Sequence, residues 1–230
     1  MNLSGKVVVV TGGAGVLGQA VAATLGGYGA RLALVDHAKL PPAGQPGIVL
    51  HYGGVDLTKP DAARATMDRV VKEAGRLDGL INIAGGFQWE LLAGGTLDTW
   101  DSMYRINLQT AVVACQAALP YFKLAGGGRI VNVSAMGSVK AAAGIGAYAA
   151  SKAGVAKLTE ALADELKDQG VTVNAIMPSI LDTPKNRLDM PKADFTRWVT
   201  PSEAAEVIAF LVSDVARAVT GALIPEVGRV

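Results

Sequence analysis

The chain has 230 residues, half of them apolar and 18% charged, with a formal net charge of +1 at neutral pH. That length suits a single α/β domain with a sizeable core, and the near-zero charge supplies no field for nucleic acid or an anionic membrane. One cysteine, Cys115, excludes an intramolecular disulfide and fits a reducing cytoplasm; in AVVACQAALPYF it reads as a small buried apolar residue. The first residues, MNLSGKVVVV, lack the basic region and apolar stretch of a signal peptide, and no apolar run has membrane-spanning length. The expectation is a cytoplasmic protein with no nucleic-acid or membrane partner.

Strand and helix signals alternate along the chain. Strands are predicted at 6–11, 31–35, 48–52, 79–83, 129–134, 172–177 and 222–225, with helical patterns between them that include 99–124 and 147–168. This order indicates a doubly wound parallel sheet, the Rossmann fold, as one domain over 1–230. No repeat or linker interrupts it. The stretch KLPPAGQPG, 39–47, reads as a surface loop from its Pro and Gly content.

The first strand carries four consecutive valines, Val7 to Val10, as expected for a strand buried on both faces. Gly12, Gly13, Gly15 and Gly18 follow, then an apolar helical pattern through Val21 and Leu25. Strand, glycine-rich turn and helix form a dinucleotide-binding unit, in which glycine admits the pyrophosphate and the helix N-terminus offers free N–H groups. Asp36 ends the second apolar run, 18 residues after Gly18. A carboxylate there is placed to bond a ribose diol and to repel a 2′-phosphate. Further on, Tyr148 and Lys152 in GAYAASKAG stand one helical turn apart on one face. An ammonium beside a phenol favours the phenolate, so the pair is expected to lower the Tyr148 pKa for proton transfer.

Together these residues resemble the short-chain dehydrogenase/reductase family over nearly the whole chain. Thr11, Gly12 and Gly18 fit its TGxxxGxG loop, although Val16 stands at the middle glycine and Gly15 one place earlier. The resemblance implies cofactor contacts from Gly12, Gly15, Val16, Leu17 and Gly18, from Asp36, and from Asp56 and Leu57 beside the adenine. Asn82, Ala84 and Gly85 in NIAG match the family's NNAG segment. Asn107 in RINLQ matches the asparagine that helps to hold the active-site lysine, and Tyr148 and Lys152 match YxxxK. Pro178 and Thr183 match the stretch after the sixth strand, where Thr183 is expected at the carboxamide; Ser179 replaces the usual glycine.

One departure bears on the chemistry. The family's catalytic serine lies 13 residues before the tyrosine, and that position is Ala135 here. Ser134 is adjacent, but successive strand residues face opposite ways, and Ser138 follows in the next loop. Either the carbonyl donor is missing or one of these two serines replaces it. The segment 181–198, LDTPKNRLDMPKADFTRW, and the stretch IAGGFQW, 83–89, resemble dihydropteridine reductases, which keep the Tyr/Lys pair without the serine. That resemblance implies a substrate loop at about 179–200 and a quinonoid dihydropterin as acceptor. Trp89 and Trp198, in loops near the inferred cleft, either stack on a flat substrate or are ordinary packing aromatics. Lys185 and Arg187 are either substrate contacts or solvated, Trp100 is expected in the core, and His37 and His51 are too isolated for a metal site.

The reading is therefore an NAD(H)-dependent oxidoreductase acting on an activated conjugated small molecule, with no metal. Tyr148, Lys152, Asn107 and Ser134 are its candidate catalytic residues. The family resemblance also implies a homodimer or homotetramer. Two alternatives stand beside it: an alcohol/ketone dehydrogenase using Ser134 or Ser138, and a nucleotide-sensing protein without turnover.

Overall fold

A computed structural model describes residues 1–38 and 48–230, so the predicted surface loop at 39–47 lies outside the described residues. Seven parallel strands form one sheet: β1 (Val7–Thr11), β2 (Arg31–Val35), β3 (Ile48–Tyr52), β4 (Gly79–Asn82), β5 (Gly128–Val133), β6 (Val171–Pro178) and β7 (Leu223–Glu226). Their order across the sheet is β3-β2-β1-β4-β5-β6-β7, with the reversal beside β1 that marks a doubly wound sheet. Each predicted strand is present with its ends within one residue.

The valine run explains why β1 lies in the interior of the sheet. Val7 and Val9 enter one apolar cluster with Met67, Val70, Phe122, Ile130, Leu162 and Val173. Val8 and Val10 enter the other, with Leu25, Leu34, Ile81, Val131, Ile176 and Ile208. Alternate side chains face opposite ways, so a strand covered on both sides has no polar position. All four valines are fully buried, and each such burial contributes about 1.5–3 kcal/mol.

Helices cover both faces: α1 (Val16–Gly27) and α7 (Pro201–Val212) on one, and α2 (Pro60–Ala74), α4 (Thr110–Ala125) and α5 (Gly146–Leu166) on the other. Two shorter helices complete the set, α3 (Leu97–Met103) and α6 (Pro184–Asp189). The pattern read as one helix over 99–124 is in fact α3, a π-helical stretch at Tyr104–Gln109, and α4. Hydrophobic periodicity does not register the wider turn, because the apolar face continues on either side of it. Trp100, expected in the core, is 39% exposed on α3. No helix among the described residues is long and apolar enough to cross a membrane.

Candidate active site

The C-terminal ends of β1, β2 and β4 open into a cleft of about 880 Å³. Glycine geometry shapes its floor. Gly12 has φ +68°, and a side chain there would meet the Ala84 backbone nitrogen at 2.8 Å; one at Gly18 would meet the Gly12 carbonyl oxygen at 2.2 Å. The turn therefore lies flat against β4, and α1 starts behind it at Gly15 with no side-chain cap and no acidic residue in its first turn. Its leading N–H groups are left for an anion, and Gly12, Gly15, Val16 and Leu17 line the cleft. Thr11 ties the two strand ends together by accepting from the Ile83 and Ala84 nitrogens at 3.1 and 3.2 Å.

Asp36, at the end of β2, lines the cleft and accepts from Ala14 N at 2.9 Å and Ala38 N at 2.8 Å. Those bonds fix its carboxylate at the far side of the glycine turn. Asp56 accepts from the Thr58 nitrogen and hydroxyl at 2.9 and 2.6 Å, which hold it below the usual carboxylate range. Asp56, Leu57, Ala84, Gly85 and Thr183 all line the same cleft. A cradle of close-packed glycines, a free helix start and an acid at the second strand fit a dinucleotide.

Gly18, Asn82 and Pro178 do not line it. Gly18 packs behind the turn, and Pro178 is buried in the β6–β7 pairing. Asn82 donates from Nδ2 to Asn132 Oδ1 at 2.9 Å and to Cys115 Sγ at 3.3 Å, so its side chain joins the core. These three support the wall rather than form it. Cys115 is the buried small residue expected, its thiol pushed up to about 12 by burial.

Tyr148 and Lys152 occupy the inner end of the cleft, on the first turns of α5. The expected lowering of the phenol is not what this geometry produces. Burial pushes Tyr148 up to about 12 and Lys152 down to about 8. The ammonium is turned to the end of β5, donating to Val133 O at 2.8 Å. Ser134 completes that clasp from the other side, its hydroxyl donating to Lys152 O at 2.8 Å. The Ser134 hydroxyl is 2% exposed and absent from the cleft wall, which corrects its assignment as a catalytic donor. Ser138 Oγ donates to Ala135 O at 2.6 Å, closing a short turn.

Asn107 lies in the π-helical stretch and is fully covered. It accepts from Gly86 N at 2.9 Å and donates to Gly86 O at 3.1 Å and Ser151 Oγ at 3.0 Å. Its expected hold on Lys152 is thus indirect, through the neighbouring Ser151 and the Gly85–Gly86 backbone. A side chain at Gly85 would meet Asn107 Oδ1 at 2.4 Å, so this contact needs glycine.

The segment after β6 is self-braced. Val199 N donates to Ile180 O at 3.1 Å and Asp182 N to Val199 O at 2.8 Å, while Arg187 grips Asp182 with two bonds of 2.5 and 2.7 Å. Arg187 is therefore spent within the loop; Lys185 lines the cleft and pairs with Asp189. Trp198 is 6% exposed and tilted against the Phe195 ring, and Trp89 donates to Ala143 O at 3.1 Å; neither lines the cleft. The aromatic that does is Phe87, edge-on to Tyr148 at 5.0 Å between ring centroids. Sequence reasoning passed over it, and over Ile106, Thr110 and Thr58; only its place two residues beyond the NIAG segment pointed to it. Among the described residues no group of three or more His, Cys, Asp or Glu side chains is arranged for a metal.

The fold and the site together define a dinucleotide-binding α/β protein with a tyrosine–lysine pair at the reacting end. Comparison with known proteins agrees. The family model described as short chain dehydrogenase matches residues 6–193. The chain is 34% identical over 239 residues to a 3-oxoacyl-(acyl-carrier-protein) reductase of Thermotoga maritima, covering 97% of each. It is also 34% identical to D-threitol dehydrogenase of Mycolicibacterium smegmatis, covering 96% of this chain and 91% of that one. Carveol dehydrogenase from Mycobacterium avium, solved in complex with NAD, superposes with a TM-score of 0.86 at 27% identity, covering 97% of this chain and 96% of that one. The chain belongs to the short-chain dehydrogenase family, oxidoreductases that use a nicotinamide cofactor.

Proposed function

We propose that the protein is an NADH-dependent reductase of an activated, conjugated acceptor such as a quinonoid dihydropterin. One observation carries this reading: no serine lines the cleft among the described residues. Ala135 is buried where the family's hydroxyl would stand, Ser134 is committed to Lys152 O, and Ser138 to Ala135 O. One donor in such an oxyanion site is worth about 2.7–4 kcal/mol, which a simple ketone needs and a conjugated imine-like acceptor needs less.

Bound NADH supplies the hydride. Tyr148, neutral at physiological pH, is already in the form that donates a proton to the reduced product. Lys152, charged below about pH 8, offsets the charge left on the phenol. Phe87 closes one side of the acceptor space against the Tyr148 ring. Asp36 supports NADH over NADPH, since its fixed carboxylate would face a 2′-phosphate. Equal kcat/KM with both cofactors would remove that preference.

The named relatives support a second reading, an alcohol or ketone dehydrogenase in which Ser138 turns from Ala135 O into the cleft. Comparing kcat/KM for a quinonoid dihydropterin with a panel of ketones separates the two. The first reading expects the pterin to win in the wild type and ketone reduction to rise in Ala135→Ser. Ketones winning in the wild type would establish the second. A cytoplasmic homodimer or homotetramer completes the proposal. Its support is the exposed apolar side chains Leu97, Trp100 and Tyr104 ahead of α4, and light scattering that returned a monomer would end it.

A further inference from the structure

Behind the substrate segment lies a second cavity of about 490 Å³ that the hydride chemistry does not use. Its walls include Phe195 and Trp198, a tilted ring pair 4.8 Å apart, and Val207 from α7. Glu226, the last residue of β7, also lines it. That side chain is 9% exposed, and neither carboxyl oxygen has a hydrogen-bond partner. A buried carboxyl left in this state is unfavourable, and native structures seldom retain one without a use.

The surrounding charges do not answer it. Arg229 donates to Thr196 O at 2.9 Å, and its field falls on Glu203 and Asp194. Arg197 donates to Arg229 O at 2.6 Å and acts on Asp194. Glu203 is held by the Thr200 nitrogen and hydroxyl in the cap of α7, and acts on Glu226 only as a like charge. Two arginines and two carboxylates are thus matched among themselves, and Glu226 remains over. The cavity combines a tilted aromatic pair with one unanswered carboxyl.

We propose that this cavity is a binding site for a compact organic cation, an amidinium or ammonium group on a flat apolar body, with Glu226 as its counter-charge. The cation supplies the N–H donors that the carboxyl lacks, and its body lies against Phe195, Trp198 and Val207. Val199, which also lines the cavity, bonds Ile180 and Asp182 through its backbone, so the site backs onto the segment that carries Leu181 and Thr183 into the active cleft. The inference is independent of which acceptor the enzyme reduces.

Benzamidine is the probe and benzamide its uncharged isostere, both titrated calorimetrically into the full-length protein at pH 8. Saturable binding of benzamidine, at least ~10-fold tighter than benzamide and lost in Glu226→Gln, is the expected result. Within the wild type alone, benzamidine affinity should fall by up to ~10-fold per pH unit below pH 7, as Glu226 takes up a proton. That measurement stands even if the Gln variant does not fold. Equal binding of the two probes, no binding of benzamidine, binding retained in Glu226→Gln, or affinity unchanged between pH 8 and pH 5.5 would each overturn the proposal.

Discussion

At the scale of single residues, Tyr148 and Lys152, the proposed proton-transfer pair, are set apart by how burial acts on each. The phenol is raised and stays protonated; the ammonium is lowered and is the group that titrates near working pH. Tyr148→Phe keeps the ring against Phe87 and removes only the proton, so turnover should fall ~10²–10⁴-fold while NADH still binds. Fluorescence titration of NADH alongside steady-state rates checks both halves. For reduction, kcat/KM should decline as pH rises through about 8, where Lys152 in the free enzyme loses its charge. A flat profile from pH 7 to 9 would mean that the lysine charge is not needed. This pair was legible in the sequence because i, i+4 spacing fixes a shared helix face. Phe87 was not, since its direction depends on how Asn107 anchors the Gly86 backbone, a contact across 21 residues.

The element that decides that anchoring is the π-helical stretch between α3 and α4. Such wide turns recur at functional sites, and here the turn brings Asn107 into reach of Gly86 and Ser151 at once. Asn107→Ala would remove both side-chain bonds to the half-buried Gly86 backbone, at about 0.5–1.5 kcal/mol for each bond lost. For a chain of this length that corresponds to a Tm lower by ~2–4 °C per kcal/mol, read by calorimetry. KM for the cofactor should rise as well, because the Gly85–Gly86 backbone forms part of the cleft. The strands were read almost to the residue because buried parallel strands are continuous apolar runs with glycine or polar ends. The break within 99–124 was not, because one added residue leaves the local apolar pattern intact.

Over the whole molecule, the largest titration liability outside the active site is Glu226. Burial, and then Glu203, push it up to about 7, above the 4.5 of an exposed glutamate. A folded-state value raised above the unfolded one means that the native protein holds the proton more tightly. Stability from this group is therefore full below pH 4.5 and is lost as pH rises through 7. At about 1.4 kcal/mol per pKa unit, the loss is on the order of a few kcal/mol by pH 8. Thermal melts should show a lower Tm at pH 8 than at pH 5.5 for the wild type, and a smaller difference for Glu226→Gln. Identical pH dependence in the two proteins would show that the carboxyl is not the source.

The polar thread that runs from Asn82 through Asn132 to Thr159 bears on how such a sheet finds its alignment. Asn82 and Asn132 are direct partners across β4 and β5, and Asn132 Nδ2 reaches Thr159 Oγ1 on α5 at 2.9 Å. All-parallel pairing closes long loops before it is rewarded, and valine-rich strands slide past one another with little to choose between positions. A slip of one residue here would send the two amides to opposite faces, leaving each without a partner in an apolar layer. The thread acts as a detent, admitting one rung and rejecting its neighbours. Asn132→Val would fill the space yet remove that discrimination, so refolding should become slower and more heterogeneous even where the final melting temperature is preserved.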